Sequence, residues 1–443
     1  MNLKNLKSIY IDNGCAKIYV KILSPNDNSK NQVYFGSSFD ILNILPISEI
    51  TAEVAGDWKK ERFKAALNFL WIGENGNAFP APNSQLILYP KYPEVRFSGF
   101  LIRCENPPSQ LMRGRLANRV LFFSVSKEGN ILGYVAAPDS EIAIEFSKEK
   151  YITEHGVFKV IELPQISNNR VKLIEELFRI HQLGWIKSKR LDNLGNILSC
   201  NSSNCGGYTL EAELGITPNG FSEPDYLGWE IKQFGVENFD KIQSKIITLM
   251  TPEPNDGYYK IEGAQAFLLK YGYADKSGKE DRINFGGIHK AGIRHLQTGL
   301  ELQLIGYDIY NDKIRNATGR IALVDKEGNE TASWSFAAML LHWNRKHNQA
   351  CYVPSLSEKS PQRQYKYGNK IVLGSGTDFL LFLKELAKGN IYYDPGIKME
   401  SASSHPKIKK RSQFRIKAGN LINLYNKNEI IDLSEEMRYR KYL

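Results

Sequence analysis

The spacing of apolar residues changes character near position 170, and no single regular architecture accommodates both halves of the chain. Before that point, short apolar or alternating runs at Tyr10 and Ile11 and over residues 16–23, 85–89, 95–102, 120–125 and 142–146 are separated by Asn, Pro, Gly and Ser. This spacing predicts short strands joined by turns, hence a β barrel or sandwich over residues 1–165. One helix is predicted to interrupt it over residues 58–69, because Phe63, Ala66, Leu67 and Leu70 recur at helical spacing. The asparagines of the 167–170 segment mark a linker. From Val171 an amphipathic helix is predicted to run to Lys187, followed by strands over 227–233 and 245–251 and a helix near 263–269. The second domain, residues 171–443, therefore reads as an α/β core, a mixed sheet flanked by helices. At 443 residues, 42% of them hydrophobic, the chain has the material for two or three cores.

Its 58 Lys and Arg residues exceed the 48 Asp and Glu, for a net charge of +10. Such an excess suits the phosphate backbone of a nucleic acid and equally an anionic membrane surface. No run of about 18 apolar residues is present to span a bilayer, and the opening Met1-Asn2-Leu3-Lys4-Asn5-Leu6-Lys7 lacks the apolar core of a signal peptide. A cytoplasmic protein with no membrane partner is the expectation. The five cysteines, Cys15, Cys104, Cys200, Cys205 and Cys351, are odd in number and scattered, which argues against a disulfide framework. Cys200 and Cys205 lie close in an Asn/Ser-rich loop, but no second pair completes a tetrahedral zinc site. No Gly-rich phosphate loop is present, so ATP-driven translocation is not indicated.

The densest chemistry lies in Pro224-Asp225-Tyr226-Leu227-Gly228-Trp229-Glu230-Ile231-Lys232. If a strand covers residues 227–233, side chains alternate between faces, so Glu230 and Lys232 share one face while Trp229 and Ile231 pack behind. Asp225, just after Pro224, can converge on Glu230. Two carboxylates suit Mg²⁺, a hard cation that keeps waters for a phosphate and a nucleophile, and a neighbouring lysine can orient an attacking water. These are the parts of a metal-dependent phosphodiesterase. Coincidence is the competing account: in a chain with 24% charged residues, Asp225 would be a turn residue and Glu230 with Lys232 a solvated pair.

The flanks of this motif carry more. Ile180-His181-Gln182-Leu183-Gly184-Trp185-Ile186, Gly207-Tyr208-Thr209-Leu210-Glu211 and Leu214-Gly215-Ile216 precede it, and Ile247-Thr248-Leu249-Met250-Thr251-Pro252-Glu253-Pro254 and His342-Trp343-Asn344 follow. In these segments the chain resembles the MvaI/BcnI family of restriction endonucleases, relatives of the mismatch-repair nickase MutH within the PD-(D/E)XK nuclease superfamily. The resemblance runs from near Val171 to the C-terminus. It implies a restriction-endonuclease-like fold, with Asp225 and Glu230 as Mg²⁺ ligands and Lys232 as the residue that positions the water. Glu211 becomes a further ligand or a holder of metal-bound water; otherwise it is a helix carboxylate near an N-terminus, favoured there by the dipole. Also implied are a monomer with one active site acting on double-stranded DNA and a companion DNA methyltransferase in the host.

In the first domain, Lys21-Ile22-Leu23-Ser24-Pro25-Asn26-Asp27 and Tyr92-Pro93-Glu94-Val95-Arg96-Phe97-Ser98-Gly99 resemble the N-terminal effector domain of EcoRII-type enzymes, a pseudobarrel of the B-three kind that grips the major groove. On that resemblance Lys21, Asn26, Lys30, Lys91, Glu94 and Arg96 are candidate readers of a second copy of the target; otherwise they are polar residues at strand ends. Because MvaI and EcoRII themselves both act on CCWGG, where W is A or T, the resemblance at both ends implies that site and effector-stimulated (type IIE) cleavage. In the second domain the basic stretch His405-Pro406-Lys407-Ile408-Lys409-Lys410-Arg411-Ser412-Gln413-Phe414-Arg415 can reach into a groove. There Arg411 and Arg415 suit guanine edges and Gln413 suits adenine or phosphate, while Lys410 adds charge; contact with phosphates alone is the alternative. Arg345, Lys346 and His347, beside Trp343, form a second group of candidate DNA contacts, with a core-satisfied histidine the alternative for His342 and His347. Two other functions fit the same residues. A MutH-like nickase would leave products cut on one strand only, and a regulator with an inactive nuclease fold would bind its site without metal-dependent cleavage.

Overall fold

A helix, not the strand expected at Tyr10 and Ile11, opens the chain. The Asn2 side chain accepts from the Asn5 N–H at 2.9 Å and caps Leu3–Asp12, whose Leu3, Leu6 and Tyr10 fall on one buried face. The structure, a computed structural model, describes residues 1–443 apart from 26–30, 48, 54–60, 92–93, 151, 164–168, 203, 218–224 and 441–443 and the side chains of Asp40, Arg345 and Arg440. The chain divides into two compact units, Met1–Val171 and Lys172–Leu443.

Two sheets build the first unit. One runs in the order Thr153–His155, Phe158–Glu162, Lys17–Leu23, Arg119–Val125, Ile131–Ala136, Phe69–Ile72, Ala78–Pro80; the other in the order Val33–Gly36, Glu94–Ser98, Gln85–Tyr89, Arg62–Ala66, Ile50–Glu53. Phe35 of the second sheet lies 5.5 Å from Phe123 and 5.1 Å from Phe158 of the first, so the inner faces meet through aromatic rings. Two expectations are corrected here. The helix predicted over 58–69 is replaced, in the described part, by the strands Arg62–Ala66 and Phe69–Ile72: Phe63 and Ala65 alternate inward and pair with both neighbours, which overrides the apparent helical spacing. The strand predicted over 142–146 is the helix Glu141–Ser147, with Ile142, Ala143 and Phe146 buried at helical spacing.

The second unit is mixed α/β. Its main sheet runs Ile186–Lys187, Gln364–Tyr367, Gln349–Glu358, Lys370–Ser375, Lys427–Asp432, and the strand Glu230–Gly235 joins it parallel to Gln349–Glu358. One face of this sheet supplies Trp229, Ile231, Cys351, Val353, Ile371 and Leu373 to a core closed by Leu173, Ile174, Leu177 and Ile180 of the helix Asn169–Gln182 and by Cys205 and Leu210 of the helix Cys205–Glu213. The first of these helices ends before the expected Lys187, because Gly184 adopts φ +67 and the chain turns into the edge strand Ile186–Lys187. The expected strand over 245–251 and the helix near 263–269 are present as Ile246–Met250 and Gly263–Tyr271. Cys200 and Cys205 form a disulfide with Cα atoms 5.7 Å apart, within the span a disulfide allows, a single bridge where the sequence argued against a disulfide framework. Among the described residues, no helix is long and apolar enough to cross a membrane.

Candidate active site and adjoining cleft

The strand expected to start at Leu227 starts at Glu230, because the chain first makes a two-residue turn. Tyr226 and Trp229 exchange both backbone hydrogen bonds, at 2.9 and 2.8 Å, and the residues between them, Leu227 and Gly228, have φ of +51 and +85. Paired positive φ values fit a type I′ turn, which Gly228 adopts without strain and Leu227 only at a cost of about 1 kcal/mol. The turn brings Asp225 back over the strand, where its Oδ2 accepts from the Ile231 N–H at 2.9 Å. Glu230 and Lys232 share one face of the strand and are joined by an ion pair, while Trp229 and Ile231 fill the core behind them. Asp225, Glu230 and Lys232 are thus brought together. Pro224 lies outside the described residues.

Burial makes this cluster electrostatically demanding. Glu230 is 1% exposed, its Oε1 takes both Lys232 and, at 3.4 Å, Lys346, and its Oε2 accepts no hydrogen bond among the described residues. Burial, and next the Glu230 charge, push the Asp225 carboxyl above the usual carboxylate range. Glu211, on the helix Cys205–Glu213, is pushed up to about 7, first by burial and then by the charge of Asp225. Two carboxyls with raised proton affinity beside a buried third, Glu230, whose Oε2 accepts no hydrogen bond among the described residues, form a site short of positive charge, and an all-oxygen donor set suits Mg²⁺. Among the described residues no three such side chains converge tightly enough to hold an ion by themselves. Mg²⁺ is commonly held by one or two carboxylates, with waters and phosphate oxygens completing its shell. The residues present fit the ion on those terms.

Lys346, expected among the DNA contacts, lies against Glu230, a neighbourhood the sequence reading did not anticipate. Its helix, Phe336–His347, leads directly into Gln349–Glu358, the strand that pairs with Glu230–Gly235. His347, expected among DNA contacts, is wholly buried: it stacks on Trp343 with centroids 4.0 Å apart, and its nitrogens meet Leu249 O at 3.0 Å and Tyr425 OH at 3.2 Å. Burial holds its imidazole well below its ordinary pKa, so it is a neutral internal strut rather than a surface contact. The side chain of Arg345 lies outside the described residues.

The remaining predicted groups of this unit gather in one cleft. Lys410, Arg411, Gln413 and Arg415 line a space of about 550 Å³ with Asn204, Thr248, Thr251 and Glu253. Arg415 is held in place by Asp394 at 2.6 Å and Thr248 at 3.2 Å, and Lys410 lies 5.7 Å from the Tyr259 ring. Asn204 is the residue before the helix that carries Glu211, so the cleft and the carboxylate cluster share an element.

In the first unit, Tyr34 lies between two candidate readers. It pairs directly with Arg96 across neighbouring strands, and the Lys21 Nζ sits 5.6 Å from its ring. Arg96 is bound to Glu94 at 2.7 Å and donates to Gln32 at 3.2 Å. Lys21 lines a hollow of about 380 Å³ with Gln32, Tyr34 and Arg119, and burial lowers its pKa. Lys91 is exposed, and Asn26 and Lys30 lie outside the described residues.

Two solved structures of the restriction endonuclease MvaI, one with its cognate DNA substrate and one without DNA, align with 60% of this chain and 99% of theirs at 18% identity, with TM-scores of 0.45 and 0.33. Comparison with curated proteins gives no match. The model of the MvaI/BcnI restriction endonuclease family matches residues 174–425, which takes in the carboxylate cluster, Lys346 and the basic cleft together. With more than half of its length so matched, the chain belongs to the MvaI/BcnI restriction endonuclease family, and hence to the DNA nucleases.

Proposed function

We propose that this nuclease hydrolyses double-stranded DNA at CCWGG in a Mg²⁺-dependent reaction, stimulated when the first unit, acting as a pseudobarrel effector domain, binds a second copy of the site. The observation that carries the catalytic part is the buried Glu230 carboxylate, with one oxygen held by two lysines and the other accepting no hydrogen bond among the described residues. Asp225 and Glu230 would hold the metal, with Glu211 as a further ligand or the holder of a metal-bound water. When bound, Mg²⁺ would supply positive charge that stabilises the reacting phosphodiester, a large part of a barrier reduction on the order of 20 kcal/mol. Lys232 orients the attacking water, and its ion pair with Glu230 keeps the amine beside that carboxylate. The Ile231 N–H fixes the Asp225 carboxylate through its Oδ2. Lys346 adds a second positive charge against Glu230 and can steady charge developing on a phosphate.

Arg411, Gln413 and Arg415 read base edges from the cleft, Lys410 contacts phosphate, and in the first unit Lys21, Glu94 and Arg96 contact the effector copy. The enzyme acts as a monomer, cutting one strand and then the other, and the host carries a methyltransferase for the same site. Sequencing the ends produced from genome-sized DNA in Mg²⁺ tests the specificity. Double-strand ends at CCWGG are expected; ends at another sequence would overturn the site, and products nicked on one strand only would favour a MutH-like nickase.

A further inference from the structure

The four-stranded sheet Tyr273–Ala274, Arg282–Gly286, Gly396–Glu400, Lys407–Lys409 in the second unit has two unlike faces. Register places Arg282 opposite Glu400 and Glu400 opposite Lys407, and Asn284 opposite Lys398 and Lys398 opposite Lys409. Directly opposed residues point to the same side of a sheet. One face therefore carries Arg282, Lys398, Lys407 and Lys409 against Glu400. The other carries Phe285, Ile397 and Met399, at most 2% exposed, and packs on the helix Gly263–Tyr271, with the Phe267 ring 4.7 Å from that of Phe285. Core packing fixes the apolar face inward and leaves the cationic face outward, with Lys407 and Lys409 exposed.

Local pairing does not cancel this charge. Glu400 is shared between Lys398 at 3.0 Å and Lys409 at 3.8 Å, and Asp275 takes Arg282 at 3.4 Å. Arg282 and Asn284 also engage each other at 3.1 Å, which leaves the lysines as the groups that reach outward. Along a strand, alternate residues repeat at about 6.8 Å, twice the axial rise of about 3.4 Å per phosphate of one DNA strand. From Lys409 the chain passes without a break to Lys410 and Arg411, which line the cleft beside the carboxylate cluster. Tyr273, opposite Asn284, is the aromatic residue of these strands on this face, and among the described residues no aliphatic side chain of them projects from it to enter a bilayer.

We propose that this sheet face is a second DNA-contacting surface, which holds the phosphate backbone of duplex flanking the target site without regard to sequence. It rests on the reading of the adjoining cleft as the DNA-binding cleft. Lysine ammonium groups are point charges that carry no base information, so the surface adds affinity and salt dependence rather than specificity.

The test uses the full chain in EDTA and a random-sequence duplex of about 40 base pairs, with dissociation constants measured between about 50 and 200 mM salt. The triple variant Lys398→Gln/Lys407→Gln/Lys409→Gln is compared with wild type and with Lys313→Gln/Lys326→Gln/Lys359→Gln, which removes the same charge from exposed positions elsewhere in the unit. At about 0.9 counterions per phosphate contact, loss of three contacts makes the fall in affinity across that range about 40-fold smaller in the first variant and unchanged in the control. Equal salt slopes for wild type and both variants would overturn the surface while leaving the nuclease reading intact. Wild type without salt-dependent DNA binding would overturn both. Binding to anionic phosphatidylserine vesicles that the first variant loses, with its DNA binding unchanged, would assign the face to a membrane instead.

Discussion

The two regions proposed to contact DNA differ in how their polar groups are satisfied. In the second unit, Glu230 is buried with an oxygen that has no partner among the described residues, and the proton affinities of Asp225 and Glu211 are raised by burial and next by a neighbouring carboxylate, Glu230 for Asp225 and Asp225 for Glu211. In the first unit, Arg96 is closed off by Glu94 and Gln32, and Lys21 rests over Tyr34. A site short of charge is poised for a cation, whereas a self-satisfied surface must exchange existing bonds for new ones and gains little from each. The chemistry is therefore expected to be sharply sensitive to single substitutions in the second unit and only graded in the first.

The largest effect is expected at the metal-holding pair. Asp225→Asn or Glu230→Gln should lower single-turnover cleavage by about a thousandfold or more while leaving duplex binding in place; near-normal rates would erase the contrast between the regions. Next comes Lys346. Its removal as Lys346→Met should reduce the cleavage rate by about 10- to 100-fold, the scale seen when a partner of a metal ligand is lost. Partial rescue by Lys346→Arg would separate its charge from its packing, and an unchanged rate would return Lys346 to the DNA contacts.

How much of this was legible in sequence depended on range. The strand period put Glu230 and Lys232 on one face and Trp229 and Ile231 behind, because alternation is local. The preceding turn was hidden, since leucine rarely accepts positive φ and Leu227 read as strand. Lys346 could not be placed from one sequence: its position depends on a parallel pairing between strands more than a hundred residues apart, as in Glu230 with Ala350. The burial of His347 did leave a trace, since Trp343 lies four residues earlier on the same helical face. In the first unit the apolar run 142–146 was compatible with strand or helix, and only packing decided.

A smaller effect concerns stability. Glu211 has an ordinary carboxyl pKa of 4.5 when unfolded and one of about 7 when folded. Below the unfolded value both states hold the proton and no penalty exists; as pH rises through this window the unfolded chain releases it first, so stability falls until about pH 7 and then levels. Glu211→Gln should thus melt higher than wild type at pH 8 in EDTA by at most about 3 kcal/mol, with the gain vanishing near pH 4. A gain independent of pH would point to packing instead. The smallest effect is expected in the first unit, where Arg96→Ala should lower the ratio of two-site to one-site cleavage less than about tenfold, because its present partners already offset what DNA would offer. An unchanged ratio would remove Arg96 from the effector surface.

The most direct measurement of the central claim compares wild type with Lys232→Ala on supercoiled plasmids carrying zero, one or two CCWGG sites, in Mg²⁺ and in EDTA at fixed salt. Metal-dependent linearisation of site-bearing plasmids, faster with two sites and absent in Lys232→Ala, is the predicted result. Cleavage that survives Lys232→Ala or EDTA, or intact binding with no cleavage by wild type, would contradict it.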